Sequence, residues 1–202
     1  GYEKENFVGT VLYAPTRVTG TIYNHGKFGG AGVKYGSQVS DLFILGGGLG
    51  VATATQEGIR LSTAVDCTFT NVGVGNCATG VHLYAENNEI NFYTFTSYGN
   101  QVGVKCKRRN NNVIRWFGPN FQNNDICVSQ SWGNEWHWYD PIFQSYNSAC
   151  YVVDTSDGIT WTNESGEDIQ GQVSHLYTYG GHCENKGSAG IENGWSFLND
   201  GT

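Results

Sequence analysis

Residues 80–128 read GVHLYAENNEINFYTFTSYGNQVGVKCKRRNNNVIRWFGPNFQNNDICV. Within that stretch Gly80-Val81-His82-Leu83 returns as Gly103-Val104-Lys105-Cys106 and again as Asp125-Ile126-Cys127-Val128. The same phase extends back to Gly58-Ile59-Arg60-Leu61 and on to Ala149-Cys150-Tyr151-Val152, so the starts fall 22, 23, 22 and 24 residues apart. A second frame follows: Asp41-Leu42-Phe43-Ile44, Asp66-Cys67-Thr68-Phe69, Glu89-Ile90-Asn91-Phe92, Val113-Ile114-Arg115-Trp116, Glu135-Trp136-His137-Trp138 and Gly158-Ile159-Thr160-Trp161. A looser third frame holds Asn120-Phe121-Gln122 and Pro141-Ile142-Phe143-Gln144, each before an Asn-rich turn.

Every period therefore carries short apolar-x-apolar strands between Gly, Asn and Asp turns, and such strands bury alternate side chains on one face. One coil of this kind cannot cover its own apolar face, so the pattern predicts stacked coils about 4.8 Å apart. Leucine-rich repeats have a similar period, but their LxxLxLxxN signature is missing, and propeller blades need about 40–45 residues. The predicted fold is all-β, a right-handed single-stranded parallel β-helix of 22–24 residues per coil. Gly32-Val33-Lys34-Tyr35 and Val18-Thr19-Gly20-Thr21-Ile22 continue the first and second frames toward the N-terminus. Val173–Tyr179 and Gly190–Trp195 look like further strands beyond the polar excursion 162–171.

Composition agrees. Charged residues are 14%, aromatics are also 14%, Gly numbers 29 and Met is absent, and no window sustains a 3.6-residue apolar period. The net charge of −7 argues against a nucleic-acid partner for the chain as a whole. No apolar run of about 18 residues appears, so membrane insertion is not expected. The opening GYEKENFVGT lacks signal-peptide anatomy and reads as a strand entered midway, so residues 1–202 are expected to be one domain and a fragment of a longer chain. Six cysteines fit no zinc spacing, and several occupy strand positions where Val would serve. They are expected to be mostly buried free thiols, which points to folding in a reducing cytoplasm.

Alternation also sorts the outward side chains. In the first frame they are Lys34, Arg60, His82, Lys105, Cys127 and Tyr151; in the second, Phe43, Thr68, Asn91, Arg115, His137 and Thr160. Cations stacked at coil spacing repel one another, so the file suggests an anionic ligand, the alternatives being solvated surface residues or carboxylates of a neighbouring subunit. Glu86, Lys107, Arg108, Arg109 and Trp132 fall in turns between the frames. Trp116, Trp136, Trp138 and Trp161 fall inward and are expected in the core, whereas Trp132 and Trp195 are better placed to touch sugar.

The strands GIRL, GVHL and GVKC, the segments NNEINFY and GNEWHWY, and the C-terminal HCENKGSAGIENGW resemble the pectate-lyase-like β-helix superfamily. The Asn- and aromatic-rich character is most similar to bacteriophage tailspike polysaccharide depolymerases. The resemblance spans about residues 15–200 and carries no catalytic motif. It implies a virion tail protein, commonly a homotrimer, that binds a bacterial capsule or O-antigen and depolymerises it by hydrolysis or elimination. With the basic file, the polysaccharide is expected to be anionic, contacted by Arg60, His82, Lys105, Arg108, Arg115 and Trp132.

Hydrolysis usually needs two carboxyl groups. Asp41, Asp66, Glu89 and Glu135 recur at one turn phase, which a strand-start role explains, so Glu86, Asp140, Asp154 and Asp157 are the preferred candidates. The acidic stretch TNESGEDIQG, residues 162–171, reads as a plain loop. Elimination would instead use a cation against a uronate and a base such as His82, Lys105, Arg115, His137 or Tyr139. Of these His137 joins the catalytic candidates. No calcium loop is present, and no cofactor or metal is expected. Hydrolysis is placed ahead of elimination. A glycan-holding fibre module without catalysis and a bacterial pectate-lyase-like enzyme or epimerase stand as the alternatives.

Overall fold

A computed structural model describes residues 9–14, 19–26, 34–47, 55–108, 110–153, 161–162, 165–166, 168–169, 173–185 and 197–199. The described chain is all-β, and seventeen strands join in one sheet whose strands pair in parallel. In the central coils each strand pairs with its equivalent 22 to 24 residues later, as in Ile59↔Val81, Val81↔Val104, Ile90↔Ile114 and Ile114↔Trp136, while longer coils lie before and after, as in Thr21↔Glu57 and Glu135↔His175. That is the arrangement of a parallel β-solenoid.

The sheet turns over three faces. On the first stack Thr21–Gly26, Glu57–Ser62, Thr79–Ala85, Val102–Cys106 and the later halves of Asn120–Gln130 and Ile142–Val153. The second carries Lys34–Tyr35, the start of Ala64–Gly75, Asn88–Tyr93, Asn112–Phe117, Gly133–Tyr139 and Val173–Tyr179. The third carries Thr10–Ala14, the later half of Gln38–Gly46, Thr96–Tyr98, the starts of Asn120–Gln130 and Ile142–Val153, and His182–Asn185. Trp138 from the second face, Phe143 from the third and Tyr151 from the first meet at ring distances of 5.2, 5.8 and 6.2 Å, so the faces enclose one core.

Side-chain files fill that core. Phe69, Phe92, Trp116 and Trp138 stack face to face at successive spacings of 4.8, 3.9 and 5.0 Å. Trp116, Trp136 and Trp138 are all fully buried, as alternation predicts. Buried asparagines complete the corners: Asn87 donates to Asn111 Oδ1 at 2.6 Å and Asn100 to Asn124 Oδ1 at 3.1 Å. Each also serves backbone that the turn leaves unpaired, as when Asn87 Oδ1 accepts from the Ala64 N–H and Asn100 Oδ1 from the Cys77 N–H.

The corners bend through the left-handed region. Asp41, Asn71, Thr94, Gly118, Asp140 and Gly180 share one corner, with φ of 51, 52, 51, 57, 47 and 70°. Thr63, Glu86 and Asn110 share another, with φ of 52, 56 and 60°. Asp and Asn tolerate this conformation, which explains their abundance at the turns.

The register differs from the sequence frames in several places. Asp41-Leu42-Phe43-Ile44 lies on the third face, not the second, since Leu42 pairs with Val72 and Phe43 with Gly73. Phe43 is buried rather than outward. The N-terminal frames are exchanged: Asn24 pairs with Arg60 on the first face, while Lys34 pairs with Ala64 on the second. Val102–Cys106 pairs with Ile126–Gln130 at an offset of 24, two more than the frames give, so Cys127 falls in the inward file of Gly103, Lys105 is followed in its file by Ser129 and Val152, and both Cys127 and Tyr151 are buried. Trp161–Thr162 pairs antiparallel with Asp168–Ile169 in a separate two-stranded ladder, and Val173–Tyr179 continues the second face in its place.

Candidate functional site

Two outer faces carry the polar side chains that chemistry would need. On the first, Arg60 and His82 stand in neighbouring coils, as alternation predicts. Their counter-charge lies in the chain. The Glu57 carboxylate, 8% exposed as a residue, accepts from Arg60 Nε at 2.5 Å and Nη2 at 2.8 Å, from Thr21 at 3.0 Å, and meets His82 Nδ1 at 2.7 Å. Burial pushes its pKa upward, but the hydrogen bonds from His82 and Arg60 and their charges outweigh that and hold it at about 2. Arg60 is in turn raised, first by its hydrogen bond to Glu57.

Glu57 escapes the sequence pattern because alternation fails beside it. A Cβ on Gly58 would lie 2.2 Å from Val74 Cγ1 in the core, and the next residue, Ile59, is also fully buried. Two successive inward positions therefore put Glu57 and Arg60, three apart, on the same outer side.

Tyr84 extends this cluster. The Arg60 guanidinium lies 4.7 Å from its ring centroid and the Arg108 guanidinium 4.4 Å, one from the preceding coil and one from the following. His82 meets the same ring edge-on at 5.4 Å. Lys105 follows His82 in the file and is half-buried.

The second face is different. Its outward file runs Thr68, Asn91, Arg115, His137 and Tyr177. Among the described residues Arg115 has no carboxylate within ion-pair distance. His137 Nε2 lies 2.7 Å from Glu135 Oε1, its Nδ1 is enclosed without a partner, and its ring stacks on Tyr177 at 4.7 Å. The hydrogen bond from His137 lowers the Glu135 pKa, with further help from the charges of His137, Arg115 and His175.

Beside that file runs an outer aromatic stack, Tyr93, Phe117, Tyr139 and Tyr179, at spacings of 4.6, 4.7 and 4.7 Å with planes within 8° of parallel. Rings stacked along the solenoid turn their edges outward. Tyr93 and Tyr179, at the two ends, are 40% and 46% exposed, and Tyr177 is 39% exposed.

The remaining candidates are scattered. Glu86 and Asp140 are exposed, but they stand on two different left-handed corners. Asp154, Asp157, Arg109 and Trp195 lie outside the described residues. Trp132 is 6% exposed and belongs to the core, its carbonyl accepting from Cys106 Sγ at 3.0 Å, so its ring offers no surface to a sugar. No group of three or more His, Cys, Asp or Glu among the described residues could hold a metal ion. No helix among them is long and apolar enough to cross a membrane. Comparison with protein-family models, curated proteins and solved structures gave no match.

Proposed function

We propose that this chain is a tailspike-type β-helix whose second face holds an acidic polysaccharide of a bacterial surface. The observation that carries the reading is Arg115. It is a half-buried cation with no described carboxylate within ion-pair distance, Glu135 acting on it only through space, set between Asn91 and His137 and beside exposed tyrosines. A guanidinium binds carboxylate or phosphate in a fork, and aromatic edges with amide and imidazole groups suit sugar hydroxyls. The winding is right-handed, since parallel crossovers take that hand in about 98% of cases. The same reading gives a homotrimer in a virion tail, folded in a reducing cytoplasm before release.

Of the two routes to depolymerisation, the described residues equip elimination better than hydrolysis. Arg115 can neutralise a uronate carboxylate while the hydroxyls of Tyr139 and Tyr177, on neighbouring coils, are of the type that moves a proton. Hydrolysis wants a carboxyl kept protonated. Glu57 and Glu135 are both held toward the ionised form, and Glu86 and Asp140 stand on separate corners. That separation is also what favours a second reading, a module that holds glycan without cutting it.

Incubation with purified capsular and O-antigen polysaccharides tests all three. New reducing ends with the ultraviolet absorbance of an unsaturated uronate mean elimination, and ends without it mean hydrolysis. Retention of the polymer with neither means the binding module. Arg115→Gln should weaken retention about tenfold, the worth of one charged hydrogen-bonding group. Failure to retain any acidic polysaccharide would overturn the reading.

A further inference from the structure

Among the described residues Arg108, at the corner beside Tyr84, has no carboxylate within ion-pair distance, although Glu86 stands exposed on the same corner. Glu57 is a single carboxylate, and both its oxygens are taken by Arg60, His82 and Thr21. Arg108 reaches the other end of the same cluster and lies over the Tyr84 ring without touching Glu57. Its Nε is enclosed and has no hydrogen-bond partner, while only its backbone carbonyl is used, accepting from Asn111 Nδ2 at 2.7 Å. Two guanidiniums held against one ring sit within about one screening length, 8–10 Å, so they repel. A buried, unpartnered N–H on a cation costs stability besides.

We propose that this corner is an oxyanion subsite, in which the Arg108 guanidinium takes a carboxylate or phosphate group in a fork, with Tyr84 as the rigid wall that aims it. A guanidinium packed on an aromatic ring has little freedom left to lose, so binding in its plane is pre-organised. The site stands on its own geometry, and only the carrier of the anion, a substituted glycan, rests on the function proposed above. The corner joins the first face to the second, where Asn87 and Asn111 lock the turn from inside. A glycan lying on the second face would then place one acidic substituent around the edge. An acidic chain of net charge −7 gains selectivity from such a point, because diffuse attraction to polyanions is not available to it.

The arginine Nε–H resonances of the ¹⁵N-labelled protein report the site directly, with Arg108 assigned by its absence in Arg108→Gln. Three probes are titrated: inorganic phosphate, oligogalacturonate and a neutral dextran oligosaccharide. Phosphate, oligogalacturonate or both should shift the Arg108 signal, the stronger naming the source of the anion, while dextran should leave it alone. Arg108→Gln should weaken that binding about tenfold. Arg108→Lys, which keeps charge and stem but not the fork, should fall between, separating loss of the site from loss of the fold. No shift with either anion, or parental affinity in Arg108→Gln, overturns the proposal. Arg115→Gln keeps the two readings apart. If it leaves polysaccharide retention intact while phosphate still shifts Arg108, the second-face reading falls and the anion subsite stands.

Discussion

Glu57 keeps its charge in a place where burial alone would favour its loss. Its pKa of about 2 lies below the ordinary value of 4.5, so its contribution to stability is complete above the unfolded value. That contribution drains away as pH falls from about 4.5 to about 2. Acid titration of the melting temperature should show a decline in this window, and Glu57→Gln should flatten it. The same substitution should cost about 2 kcal/mol at neutral pH in denaturant unfolding, because Arg60 and His82 lose their counter-charge and one of the two acceptor oxygens becomes a donor. A variant as stable as the parent would mean that the cluster holds nothing together. The sequence shows Arg60 and His82 as outward cations but hides their partner, since period-two alternation excludes a residue three positions before Arg60. Trp132 is hidden for a related reason. A turn position looks exposed in sequence, and only the coil beneath it makes this one core.

For a strand the constraint is what stacks above and below it. Gly58, Gly80 and Gly103 form a file in which a Cβ would come within 2.8, 2.5 and 2.5 Å of the carbonyl oxygen one coil on. Gly103→Ala should therefore cost about 1–3 kcal/mol, the price of overpacking, read as a shift in denaturant midpoint. Gly118 is a contrast: φ is +57° and nothing lies within 4 Å of a Cβ, so Gly118→Ala should cost only about 1 kcal/mol, from backbone strain alone. Equal losses at the two positions would deny the stacking argument. In the aromatic file, Trp116→Ala removes a ring stacked on both sides and should cost about 3–5 kcal/mol. Such files were legible in sequence wherever three frames repeat cleanly, from Ile59 to Val104 and from Cys67 to Trp138. The spacing alone misplaced Cys127 and Tyr151, because the coil before Cys127 holds 24 residues where the frames count 22, and Cys127 then takes the Gly103 position, where alternation fails. Left-handed corners were legible only as composition. Glu86 and Asp140 looked unrepeated because their equivalents, Asn110 and Gly180, are different residues doing the same conformational work.

At the scale of the whole molecule the solenoid buries every one of its six cysteines, none of them in a disulfide. Burial pushes the thiols of Cys77 and Cys106 up to about 12 and raises Cys127 as well, whereas hydrogen bonds from Cys127 and Cys183 lower Cys150, which its burial still keeps from a reagent. Titration with a thiol reagent should find almost none in the native protein and six after denaturation without reductant. Fast reaction in the native state would show that coils open readily. The coil repeat itself was the part of the whole most plainly written in the sequence, since pairing in the central coils follows the 22–24-residue period, though not in the longer coils at either end. Which outer face matters was not, because that depends on which cations find a carboxylate once the coils are stacked.

Coil-to-coil pairing also decides how the molecule answers a pull. Each coil is tied to the next by a parallel ladder along every face, so tension between the two ends loads the hydrogen bonds of the terminal coil before those of any other. Coils should peel away singly. At about 3.3 Å per extended residue, a coil of 22–24 residues pays out roughly 70–75 Å of chain beyond its former rise, so a stretching trace should climb in even steps. Where Thr21 pairs with Glu57, thirty-six positions on, and Glu135 with His175, forty on, the stored length is greater, and the steps at the two ends should be visibly longer than the even ones between them.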